Sequence, residues 1–150
     1  MKRTDATSLL LEEHRTTPSD GAAPAVVIAV GVRDIAEGLF RHDPPNPFEV
    51  EQAIDRVEDA LAASGLRQAA RGDLLTRNAR LCAKLDLRAN GDRRTRDEVE
   101  DSFQRLATVS LGHPAVSAGL PAGRDAAAGL LVLRECMHHL GFGGVRRAGD

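Results

Sequence analysis

The stretch Asn46-Pro47-Phe48-Glu49, entered through His42-Asp43-Pro44-Pro45, constrains this chain more than any other. Asn46 is a good N-cap, and Pro47 suits the first helical position, where no amide donor is needed. Glu49, three residues after the cap, completes a capping box. Val50, Ile54, Val57 and Leu61 then recur on one helical face, and Ser64-Gly65 supplies the stop, because glycine reaches the left-handed conformation without strain. The spacing predicts a rigid turn followed by an amphipathic helix ending at 64. Its outer face is read as Glu49, Glu51, Asp55, Glu58 and Asp59 against Arg56 alone.

Two further helices follow from the same logic. Thr95-Arg96-Asp97-Glu98 is a second capping box, with Val99, Phe103 and Leu106 as its apolar stripe and an end near Ser110 to Gly112. His113-Pro114 and Gly119-Leu120-Pro121 mark a loop, after which Leu130, Leu133, Met137 and Leu140 set the stripe of a helix from 123 to 140, capped by Gly141. Residues 142–146 read as a closing strand, and the β-branched run at 26–30 as a buried one. Residues 32–40 fit either helical turns or, at 37–41, a second strand. Across 67–94, Leu74, Leu81 and Leu85 suggest a helix that Asn78 interrupts, with a turn at Ala89-Asn90-Gly91-Asp92. Residues 1–24 show no sustained period and read as a polar arm, disordered or loosely docked. The expectation is a single α+β domain over 25–150, three to four amphipathic helices packed on a small sheet of short strands.

Composition narrows the function classes. The 150 residues can bury a real core, and 42% apolar with 28% charged residues excludes a disordered tail as the whole molecule. Four phenylalanines without Trp or Tyr argue against base-stacking platforms, so nucleic acid is not the expected partner. The apolar run Leu9-Leu10-Leu11 is ended by Glu12, Glu13 and His14, unlike a secretory signal, and no stretch suits a membrane helix. Cys82 and Cys136 form no ligand motif, which fits a reduced, cytoplasmic protein. Arginine outnumbers lysine 18 to 2. The sign of charge is segregated: Arg67 to Arg96 holds nine basic residues against Asp73, Asp86 and Asp92, while the net charge of the whole is −2.

The last third, Thr95 to Leu111, then Gly119-Leu120-Pro121-Ala122-Gly123-Arg124-Asp125, then Ala128 to Arg134 and Leu140-Gly141-Phe142, resembles a stretch near the end of the catalytic region in the exopolyphosphatase and pentaphosphate phosphatase (Ppx/GppA) family. There, a helix precedes a G-L-P-x-x-R-A-D segment, followed by a helix ending in Leu-Gly and a strand. The resemblance covers residues 95–146 and implies an actin-like phosphatase fold and a phosphate or polyphosphate ligand. Arg124 and Asp125 match the family's turn. The family's glycine-rich phosphate loops, of Asp-Ile-Gly-Gly-Gly character, have no counterpart here, and no catalytic acid carries over.

The residues themselves nominate several sites. Arg71, Arg77, Arg80, Arg88, Arg93 and Arg94 are the anion-binding candidates, since guanidinium forks recognise phosphate; a solvated arginine face, or one paired with the acidic helix face at 49–59, is the favoured reading of them. His42 sits on a rigid turn that could present it to a ligand or merely set the helix entry. Cys136 and His139 share a helical face, too few for a metal unless Cys82 or His113 joins them, so no metal and no cofactor is expected. Glu135 and His139, four residues apart, read as a surface contact. No nucleophile elbow, Walker loop or dinucleotide fingerprint occurs. The reading is a small, non-catalytic interaction or regulatory protein that associates with itself or a protein partner. The alternative is a Ppx/GppA-like protein that binds or hydrolyses polyphosphate or a phosphorylated nucleotide.

Overall fold

The two capping boxes close as their sequences require. In the computed structural model, which describes residues 6–20, 25–110 and 123–149, Asn46 Oδ1 accepts the Glu49 N–H at 2.9 Å while Glu49 Oε1 accepts the Asn46 N–H at 2.9 Å. Thr95 and Glu98 exchange the same pair of bonds at 3.1 and 3.0 Å. The described helices are α1 (Val32–Ala36), α2 (Pro47–Ser64), α3 (Ala79–Lys84), α4 (Arg96–Ser110) and α5 (Arg124–Leu140). The strands are β1 (Thr7–Leu11), β2 (Thr16–Ser19), β3 (Arg71–Thr76), β4 (Arg93–Thr95) and β5 (Phe142–Arg147). They form one mixed sheet in the order β2-β1-β3-β5-β4. β1, β3 and β5 are parallel, and the edge strands β2 and β4 run antiparallel to their neighbours. The protein is α+β.

α5 is the spine of the core. It packs against α1, α2, α3, α4 and β5, so its burial extends beyond the stripe at Leu130, Leu133, Met137 and Leu140. Ala127, Ala128, Leu131, Val132 and Cys136 are buried with them. A helix apolar on nearly every side is one surrounded by other elements. Gly141 ends it at φ 87°, donating its N–H to Met137 O at 3.0 Å, and the chain turns directly into β5.

Four local readings are changed or decided by the tertiary structure. Residues 7–19, read as part of a polar arm, disordered or loosely docked, form the β1–β2 hairpin. Only Leu9 of β1 is buried, so no alternation announces the strand, and Pro18 is tolerated because β2 is the edge of the sheet. The apolar run at 26–30 is not a sheet strand. It makes one bridge, Thr16 to Ile28, burying Ile28 and Val30 and leaving Val26 and Val27 exposed. Residues 32–36 are helical, and no strand forms at 37–41. The leucine pattern at 74–85 spans a strand and a helix: Asn78 breaks it because Asn78 is the cap of α3, accepting the Leu81 N–H at 2.9 Å. The expected loop at His113-Pro114 and Gly119–Pro121 lies outside the described residues.

Glu49 does not join the solvated acidic face of α2. It is buried, and its Oε2 accepts the Arg41 N–H at 2.9 Å and lies 3.1 Å from His42 Nδ1. Burial alone would raise this carboxyl, but the Asn46 and Arg41 N–H groups and the His42 ring hold it below the usual carboxylate range. His42 therefore braces the turn before α2.

Candidate functional site

In open sheets with parallel strands, ligands gather in the crevice outside the carboxyl ends of the strands. Here those ends belong to β1, β3 and β5. After Leu11 the chain turns through Glu12, Glu13, His14 and Arg15, and after Thr76 it turns through Arg77 into the Asn78 cap. Between the two turns lies a crevice of about 660 Å³, with the first residue of α1 at its wall and Arg80 of α3 at its rim. A neighbouring hollow of about 470 Å³ takes Arg80 as part of its own wall, together with Arg124 and Asp125 at the start of α5. Arg80 thus stands between two openings. Its side chain is 70% exposed and pairs with Asp125 at 3.1 Å.

The hairpin turn is held tightly. Val32 and Arg33 donate their N–H groups to Glu12 O and Glu13 O at 3.0 and 2.9 Å, so the start of α1 is capped by the turn itself. The approach is close enough to require glycine at 31, where a Cβ would lie 2.3 Å from the Glu13 backbone. Arg15 forks onto Glu12 at 2.8 and 3.3 Å, and His14 Nδ1 meets Asp34 Oδ1 at 2.8 Å. Burial pushes the Asp34 carboxyl up, but the His14 ring and the Gly31 N–H together bring it below its ordinary value. The crevice wall is therefore a set of matched charges. Exposed pairs of this kind are worth ~0–1 kcal/mol each, so they hold the wall only weakly.

The arginines expected to bind anions do not converge. Arg77 and Arg80 are at the carboxyl end of β3, where Arg77 donates to Gly149 O at 3.1 and 3.3 Å. Arg71 is at the opposite end of the same strand, donating to Leu140 O and Arg67 O at 2.8 Å each and lying over the Phe142 ring. Arg88 pairs with Asp86. Arg94 donates to Asp86 O and Arg93 O, while Arg93 forks onto Asp73 at 2.9 and 3.0 Å. Arg124 donates to Phe40 O at 3.1 Å, fixing the start of α5 against the turn after α1. Of the anion-binding and turn candidates, Arg80, Arg124 and Asp125 line one hollow; the others are engaged elsewhere by carbonyls or carboxylates.

Cys136 and His139 do not share a ligand. Cys136 is in the core, its thiol pushed up to about 12 by burial, and Cys82 is buried with its thiol also raised by burial. His113 lies outside the described residues. His139 turns to Glu58 of α2 and to Glu135, which is fully buried and is no surface contact. The hairpin turn Glu12–Arg15 and the residue Glu58 are what reading the chain locally misses, because their partners lie far away along it. No described helix is long and apolar enough to cross a membrane.

No protein-family model and no curated protein matches the chain. Solved structures do. A Ppx/GppA phosphatase of Aquifex aeolicus superposes with a TM-score of 0.71 at 10% identity, covering 95% of this chain and 52% of that one. An exopolyphosphatase-like protein gives 0.69 at 11% identity, over 97% and 56% of the two chains. An exopolyphosphatase from Cytophaga hutchinsonii gives 0.67 at 9% identity, over 99% and 54%. The likeness carried in the sequence by residues 95–146 thus holds for the fold of nearly the whole chain, which spans about half the length of these structures.

Proposed function

We propose that this chain is a phosphate-handling module that binds a polyphosphate or a phosphorylated nucleotide in the crevice at the carboxyl ends of β1 and β3. The observation that carries this reading is the crevice's place on a fold shared with Ppx/GppA phosphatases, with the exposed Arg80 at its rim. The binding is an interaction or regulatory function and not self-sufficient hydrolysis. The turns at the crevice carry Glu12-Glu13-His14-Arg15 and Thr76-Arg77-Asn78 in place of glycine-rich loops, and side chains there keep backbone amides from wrapping a phosphate closely.

Calorimetric titration of the full chain with pyrophosphate, short-chain polyphosphate and a nucleoside tetraphosphate, with and without magnesium, tests this. Binding at low salt that weakens as salt is raised is expected. Arg80→Ala should weaken it about tenfold, equivalent to ~1.4 kcal/mol. Heat of binding absent for every ligand at low salt refutes the proposal. Steady phosphate release by the chain alone refutes the non-hydrolytic part.

A further inference from the structure

We propose that Glu58 of α2, with Glu135 and His139 of α5, forms a binding site for one divalent transition-metal ion of the Zn²⁺ class. The starting point is Glu135, a carboxylate at 0% exposure in a helix whose other buried residues are all non-polar. Its Oε2 is held by the Arg134 guanidinium, which in turn forks onto Glu100 of α4. Its Oε1 is buried and accepts no hydrogen bond. A buried acceptor without a donor loses its hydration uncompensated, and native interiors seldom leave one so. What lies nearest to Oε1 is informative: His139 Nε2, at 3.5 Å, itself 2.9 Å from Glu58 Oε2.

The three ligand atoms all lie within 4.8 Å of one another. Metal bonds of about 2.0–2.2 Å put neighbouring ligand atoms roughly 3.0–3.4 Å apart in tetrahedral or octahedral geometry, so small side-chain movements complete the site. Glu135 and His139 are one turn apart on the same helical face, which makes them a natural chelating pair. Two carboxylates and one imidazole suit Zn²⁺, Mn²⁺, Fe²⁺ or Co²⁺, whereas Mg²⁺ and Ca²⁺ prefer oxygen alone. The site also sits in the last turn of α5, where the helix carbonyls favour positive charge. Arg134, by gripping one oxygen of Glu135, keeps that carboxylate oriented with the other oxygen toward His139, the part a supporting residue plays in metal sites.

Access is from solvent, because Glu58 and His139 are 41% and 37% exposed. Three protein ligands leave room for water on the ion, the arrangement of an open site. His139 follows Arg124, which lines the hollow beside the phosphate crevice, by fifteen residues along α5, roughly 22 Å at 1.5 Å per residue, and none of the three ligand residues lines either opening. The competing arrangement is a direct one, with His139 Nε2 placed between the two carboxylates and no ion.

The full chain, stripped with a chelator, should take up one equivalent of Zn²⁺ by calorimetry at micromolar metal. Bound Co²⁺ should develop visible d–d absorption, and Zn²⁺ should raise the melting temperature. Glu58→Gln and His139→Asn, both at half-exposed positions and checked for native circular dichroism, should each weaken uptake at least about tenfold. Absence of metal uptake, or uptake unaltered in His139→Asn, overturns the site and leaves the direct contact of His139 with the two carboxylates as the explanation.

Discussion

Asp73 shows how a single carboxylate joins three strands. On β3 it accepts two bonds from Arg93 of β4 and one, at 3.0 Å, from Arg146 of β5. Arg93 and Arg146 are directly paired across β4 and β5, and like charges so placed repel; Asp73 relieves that repulsion. Hydrogen bonding to Arg93 is the main reason its carboxyl lies below the ordinary range, with Arg146 adding to it. A folded-state pKa below the unfolded one stabilises above the unfolded value, near 3.9, and that stabilisation disappears as pH falls through the folded value. Asp73→Asn should therefore lose about 1–3 kcal/mol at pH 7. Urea melts taken from pH 7 down to pH 2 should show the gap to the unsubstituted chain closing below about pH 5. A gap constant over that range would mean that the loss is not electrostatic.

Whole elements differ in how far they can be read locally. α2 and α4 are legible because a cap needs only residues three apart, as Asn46 with Glu49 and Thr95 with Glu98 show. β3 and α3 are not, since Leu74, Leu81 and Leu85 fit one helical face as well as a strand followed by a helix, and β1 and β5 decide the choice by pairing. α5 reads as amphipathic because its stripe is real, yet its other faces are buried by helices that sequence order does not place. Its end depends on Gly141. A Cβ there would sit 2.1 Å from Ala69 O, on a residue already at φ 87°. Gly141→Ala should lose at least about 2 kcal/mol, from left-handed strain plus displacement of the segment at Ala69 that leads into β3. Gly143→Ala, with open space around its Cβ, should stay within about 1 kcal/mol and serves as the control in the same thermal melts. Equal losses in the two would refute the close-approach explanation.

For the molecule as a whole, the β1–β2 hairpin is the part whose importance local reading underrates. It supplies the neighbour of β3, buries Leu9 and Thr16, and its turn walls the crevice. A chain starting at Ala25 should expose the β3 edge, melt with lost cooperativity and associate, since an unpaired edge recruits other strands. An unchanged melting midpoint and elution volume would instead mark residues 1–24 as a loosely docked arm. Among the described residues, the segregation of charge legible in the chain does not make a converging patch. Arg71 and Arg77 donate to Leu140 and Gly149 carbonyls about seventy positions away, and Glu58 meets His139 at comparable separation. By itself the sequence determines the starts and stops of α2, α4 and α5 to within a few residues and the sign of charge along the chain, because caps, glycine turns and formal charges act over a few residues. Which strands pair, which arginines are consumed, and where Arg80 and Glu135 point are decided only by the tertiary structure, because each depends on groups that the chain brings together solely by folding.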